Sequence, residues 1–127
     1  MPFHCSTDTL KRVVGHVFDD ANNFGHWTTN VHDGYWTVHP VAGTRTPHGM
    51  IGRALDSIGL LAEMDEHDQF MNVVTLFAFN GFEADRTYWR CMMDFLHQVQ
   101  LAEDTAGVTW AEALARATRA CILPEVL

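Results

Sequence analysis

The stretch Ser6-Thr7-Asp8-Thr9-Leu10-Lys11-Arg12-Val13-Val14-Gly15-His16-Val17-Phe18-Asp19-Asp20-Ala21 decides how the rest of the chain is read. Leu10, Val13, Val14, Val17, Phe18 and Ala21 recur at intervals of three and four, which places them on one face of an α-helix. Ser6 or Thr7 supplies an N-cap, Asp8 suits the positive end of the helix dipole, and Gly25 offers a C-terminal stop. His16 and Asp19 fall on the opposite, polar side. Such a stripe is stable only when other elements cover it, so the remaining residues must provide a matching apolar surface.

They do so with a second set of helical patterns. Thr46-Pro47 reads as an N-cap and first-turn pair, followed by Ile51, Ala54, Leu55, Ile58 and Ala62 on one stripe. Gly52 and Gly59 lie seven apart, a spacing that lets a neighbouring backbone come close or, alternatively, weakens the helix. Glu63, Asp65, Glu66 and Asp68 read as a solvated turn and helix start. Residues 70–79 are apolar on nearly every side and predict a central buried helix, with a buried strand as the rival because of their aromatic and β-branched content. Asp85 or Thr87 opens a further helix with Trp89, Met92, Met93, Leu96 and Val99 inward, and Gly107 breaks it. Thr109-Trp110-Ala111-Glu112 is a capping-box pattern before Trp110, Ala113, Leu114, Ala117 and Cys121, and Pro124 stops the last helix.

Residues 26–47 differ in character. His26-Trp27-Thr28-Thr29 and Tyr35-Trp36-Thr37-Val38 flank Asp33-Gly34, a pattern for a short hairpin; Pro40, Gly43 and Pro47 then mark a loop. The expected fold is mainly α: one domain over residues 1–127, a bundle of about five helices with a small β-hairpin insert at 26–47.

The 127 residues carry a formal charge of −8, with 47% hydrophobic and 19% charged side chains, an ordinary globular composition that excludes a disordered chain. The charge is uneven. Residues 1–50 hold three basic and four acidic side chains and six of the eight histidines; residues 51–127 hold five basic and twelve acidic. This balance argues against non-specific nucleic-acid binding, which needs a cationic face. Cys5, Cys91 and Cys121 are an odd set without C-x-x-C spacing, so a disulfide framework is not expected and a reducing cytoplasm is the simplest compartment. Neither a signal peptide nor a membrane-spanning run is expected.

Two constellations carry candidate chemistry. Arg45, Thr46 and His48 at the start of the second helix offer donors beside free N–H groups at a positive dipole end, a place for a phosphate or carboxylate with Trp27 and Trp36 as an apolar wall. His26, His32, Asp33 and His39, with His48 and with His16 and Asp20 of the first helix, are weak candidates for a metal, because no pair has the rigid spacing of a built site. No cofactor motif, nucleophile elbow or phosphate-binding loop occurs, no catalytic residue is assigned, and no cofactor is expected.

Several short elements resemble a family of small uncharacterised proteins from actinobacteria and their phages. These are Gly25-His26-Trp27 closing the opening helix, Gly49-Met50-Ile51-Gly52-Arg53-Ala54-Leu55 at a helix start, Phe79-Asn80, and Arg86-Thr87 at the next helix start. Relatives tend to have Trp-Asn-Asp where Phe79-Asn80-Gly81 stands and a cysteine near the position of His48. The resemblance implies a helical fold and a source, and supplies no catalytic residue. Small size and an acidic second half favour an accessory protein that binds a protein partner or self-associates. The alternative is a small-molecule or anion binder using residues 26–49.

Overall fold

The computed structural model describes residues 6–29, 34–79 and 87–121, with the side chains of 79 and 87–89 excepted. Its architecture is mainly helical, with a two-stranded antiparallel hairpin. Helix α1 runs Thr7–Asn23. Ser6 is its N-cap: the Oγ accepts from Thr9 N at 3.2 Å while Thr9 Oγ1 accepts from Ser6 N at 3.3 Å, so two donors without helical partners are satisfied reciprocally. Leu10, Val13, Val14, Val17 and Ala21 are all buried, as the stripe requires. The helix ends at a Phe24 cap, one residue before the expected glycine stop.

The hairpin is present, but its arms are not those expected. β1 (Trp36–Val38) pairs with β2 (Arg45–Pro47) in the register Trp36↔Pro47, Thr37↔Thr46 and Val38↔Arg45. The turn between them is the Pro40 and Gly43 segment, held by His39 N to Thr44 O at 2.9 Å and Gly43 N to His39 O at 3.0 Å. Thr28 bridges Thr109 instead, and Trp110 N donates to Trp27 O at 2.8 Å, so residues 27–28 are tied to the last helix. The Asp33 half of the expected turn lies outside the described residues.

Because Arg45–Pro47 is strand, Thr46 cannot cap the second helix. Helix α2 covers Gly49–Ser57 with His48 in the N-cap position, and no side chain of its own bonds that end. Gly59, with φ +80°, follows the helix terminus rather than lying within it, and Ala62 belongs to a separate 3-10 turn at Leu61–Glu63. A second 3-10 turn spans Glu66–Asp68, and Asp68 is fully buried, contrary to the reading of a wholly solvated acidic run.

Helix α3 (Val73–Phe79) settles the helix-or-strand question for its segment. It is one-sided: Val73, Leu76 and Phe77 are buried, whereas Val74 and the preceding Phe70 are exposed. Helix α4 (Thr87–Glu103) buries Met92, Met93, Phe95, Leu96 and Val99. Helix α5 (Trp110–Ala120) starts at the Thr109 cap, whose side chain accepts from Glu112 N, and ends before Pro124, which lies outside the described residues. α4 packs on α5 and α1 on α2, and the Phe18 and Phe95 rings stack at 5.3 Å between α1 and α4. Each large apolar side chain taken fully out of water here contributes about 1.5–3 kcal/mol. Among the described residues no helix is long and apolar enough to cross a membrane.

Gly52 shows how tightly α2 is seated. A Cβ at this position would collide with the Tyr35 carbonyl oxygen, a backbone atom that cannot step aside. Helix propensity alone favours alanine over glycine by about 1 kcal/mol. At Gly52 the collision outweighs that gain, so Gly52→Ala is expected to destabilise the fold by about 1–3 kcal/mol. Gly15 is the control, because it is exposed within α1 and a methyl added there would meet nothing within 4 Å. Gly15→Ala should stabilise by about 0.5–1 kcal/mol. Urea unfolding midpoints of the two variants test this opposition of signs.

Candidate functional site

The N-terminus of α2 presents backbone N–H groups and a positive dipole end, which together attract an anion. The anion found there belongs to the chain. Glu103, the last residue of α4, places its Oε1 2.9 Å from Met50 N. The same oxygen accepts from Thr29 Oγ1 at 2.7 Å, and Thr29 Oγ1 in turn accepts from Trp110 Nε1 at 2.8 Å. One carboxylate thus ties together α2, α4, the segment before the hairpin and α5.

The approach is close enough to dictate residue 49. Gly49 has φ +74°, and a Cβ there would collide with Glu103 Oε1. Any larger residue would be strained in its backbone and would displace the carboxylate.

Glu103 is 5% exposed, and while Oε1 receives two hydrogen bonds, Oε2 receives none among the described residues. It lines a cavity of about 170 Å³ together with Asp104, His48, Tyr35, Gln69 and Gln100. Most of this lining is committed elsewhere. Tyr35 Oη donates to Met71 O at 2.6 Å and accepts from Gln100 Nε2 at 2.9 Å. Gln100 Oε1 accepts from Val73 N at 2.7 Å, and Gln69 Nε2 donates to Trp36 O at 2.6 Å. The buried Oε2 of Glu103 receives no hydrogen bond among the described residues.

Burial pushes the Glu103 carboxyl up to about 7 from 4.5; the Thr29 and Met50 hydrogen bonds oppose the rise, and the charges of Asp104 and Asp20 add to it. Burial also raises Asp104, against the lowering influence of His48, and holds the Tyr35 hydroxyl protonated well above its usual range. A carboxyl that exchanges its proton near neutrality can either donate or accept a hydrogen bond there, and such groups gather at functional sites.

The residues singled out from sequence do not converge. Arg45 Nη1 donates to Leu61 O at 2.8 Å and Met64 O at 2.6 Å, and its guanidinium lies 4.1 Å over the Trp36 ring, so it fastens a turn. Trp36 is a core residue at 1% exposure, and Thr46 sits exposed in β2. Trp27 stacks on Phe24 at 4.3 Å and meets Trp110 edge-on at 5.2 Å. His48 alone of the five lines the cavity. Of the histidine set, His26 is exposed beside Trp27, and exposed His39 uses Nδ1 to accept from Val41 N and Ala42 N at 3.2 and 2.9 Å, closing its own turn. Asp20 pairs with Arg53 Nε at 2.8 Å. His32 and Asp33 lie outside the described residues. Among the described residues, no three of the candidate histidines and acids of the first half share one coordination sphere.

Glu103, Thr29, Gly49 and Tyr35 were not singled out by sequence, although one signal was there to read. Met92, Leu96, Val99 and Glu103 follow each other at intervals of four, three and four, so the carboxylate occupies the apolar stripe of its helix. Compared with family models, curated proteins and solved structures, the chain matches none.

The raised value of Glu103 sets a direction for pH dependence. Between pH 4.5 and about 7 the folded chain holds the extra proton, so this group's contribution to stability is complete below pH 4.5 and is lost as pH rises toward 7. The loss amounts to about 3 kcal/mol above neutrality. Glu103→Gln keeps an acceptor for Thr29 and Met50 but carries no proton to lose. It should therefore flatten that slope and melt higher than the parent at pH 8, as followed by calorimetry from pH 4 to 8. An unchanged slope would remove Glu103 as its source.

Proposed function

We propose that the protein binds a small molecule bearing a protonated nitrogen, such as an amine or guanidine, in the cavity over Glu103 and Asp104. The observation that carries this reading is that Glu103 lines a polar cavity while its buried Oε2 receives no hydrogen bond among the described residues. A ligand N–H placed there would satisfy an atom whose desolvation otherwise costs the fold, and would stabilise the ionised carboxylate. The cavity, at about 170 Å³, is smaller than drug-sized sites, which favours a ligand of few atoms. Phe70, 73% exposed and part of the same lining, adds an aromatic ring, a group that attracts cations. The anion-binding alternative inferred from sequence is disfavoured on this geometry, because Glu103 already takes the α2 N-terminus and Asp104 stands beside it.

A protein partner or a second copy is the second reading, supported by the exposed apolar side chains Val41, Phe70 and Leu101. Light scattering that returned a dimer dissociated by Phe70→Ser would favour it.

The ligand reading is tested by thermal shift with ethanolamine, agmatine and methylguanidine against acetate, phosphate and pyrophosphate. Members of the cationic set should raise the melting temperature at pH 8 and lose the effect in Glu103→Gln. A response confined to the anions, or a cationic response unaltered in that variant, would overturn it.

A further inference from the structure

A second buried carboxylate with an unsatisfied oxygen lies on the 3-10 turn Glu66–Asp68, immediately before Gln69 of the cavity lining. Asp65 and Asp68 form a reciprocal capping box: the Asp65 side chain accepts from the Asp68 backbone, and Asp68 Oδ2 accepts from Asp65 N at 3.1 Å. That bracket fixes both carboxylates in place. Asp68 is 0% exposed, and its other oxygen, Oδ1, receives no hydrogen bond among the described residues. Oδ1 faces His67 Nε2 across 3.4 Å. One donor atom each from Asp65, His67 and Asp68 lies within 4.8 Å of the others.

We propose that this turn binds one divalent first-row transition ion of the zinc type through Asp65, His67 and Asp68. Imidazole nitrogen with carboxylate oxygen is a donor set that such ions accept. The spacing agrees with shared coordination: two ligands each about 2.1 Å from one ion, at a tetrahedral angle, stand about 3.4 Å apart. An ion places a fixed positive charge against a carboxylate taken out of water. It reaches the turn from solvent, because the His67 side chain is 53% exposed, and water completes its coordination. The proposal uses none of the Glu103 carboxyl and does not rest on the ligand reading above.

Calorimetric titration of the full chain with zinc chloride tests the assignment. One equivalent should bind, with affinity reduced at least about tenfold in His67→Ala and in Asp68→Asn, since each removes a ligand. His67→Ala changes a half-exposed side chain and is expected to fold as the parent does. Asp68→Asn without zinc should melt no lower than the parent, because it removes a buried charge. His26→Ala, His39→Ala and Glu103→Gln should bind as the parent does. Absence of a stoichiometric event in the micromolar range, or undiminished binding in His67→Ala, would overturn the proposal.

Discussion

The carboxylate of Glu103 at the N-terminus of α2 is the interaction on which the arrangement of this small fold most depends. A helix beginning inside a protein must find acceptors for its first N–H groups, and His48 provides no side-chain cap. The acceptor comes from the far end of α4, fifty-three residues away. Its position is fixed from the other side by Thr29, itself held by the Trp110 indole. The fold thereby accepts a buried acid, which costs stability once ionised, in return for a specific register among elements that apolar packing alone would orient loosely.

That compromise has a chemical consequence. Both donors reach the same oxygen and leave the second without a partner among the described residues, beside a cavity where Tyr35, Gln69 and Gln100 are engaged elsewhere. Burial raises the proton affinity toward neutrality, and the neighbouring Asp104 reinforces it. The helix dipole and the two hydrogen bonds favour the anion, while desolvation and like charge favour the acid. A group so balanced responds to a bound cation more than a solvated glutamate can.

The helical part of the fold was legible because it is written in local spacing. Of the stripe, Leu10, Val13, Val14, Val17 and Ala21 are buried and Phe18 is half-buried against the core, and the Thr109 cap stands where the pattern placed it. What misled was pairing. The Asp33-Gly34 turn signal suggested that residues 26–29 pair with 35–38, yet Trp36–Val38 pairs downstream with Arg45–Pro47 and Thr28 turns to Thr109. Strand partners are chosen by tertiary contacts that short turn motifs do not encode. The residues expected to form an anion site are dispersed for a related reason. A helix N-terminus attracts negative charge, but sequence could not show that Glu103 would arrive at that of α2, or that Arg45 would be drawn away to Leu61 O and Met64 O. Asp68 repeats the lesson, since an acidic run usually means solvent and here one member is sealed inside.

The central claim, a carboxyl poised near neutrality beside an open cavity, is most directly tested by carbon-13 NMR titration of the Glu103 side-chain carboxyl. A midpoint near pH 7 is expected, well above that of an ordinary glutamate. A midpoint near 4.5 would contradict this, showing that burial does not hold the carboxyl protonated toward neutral pH.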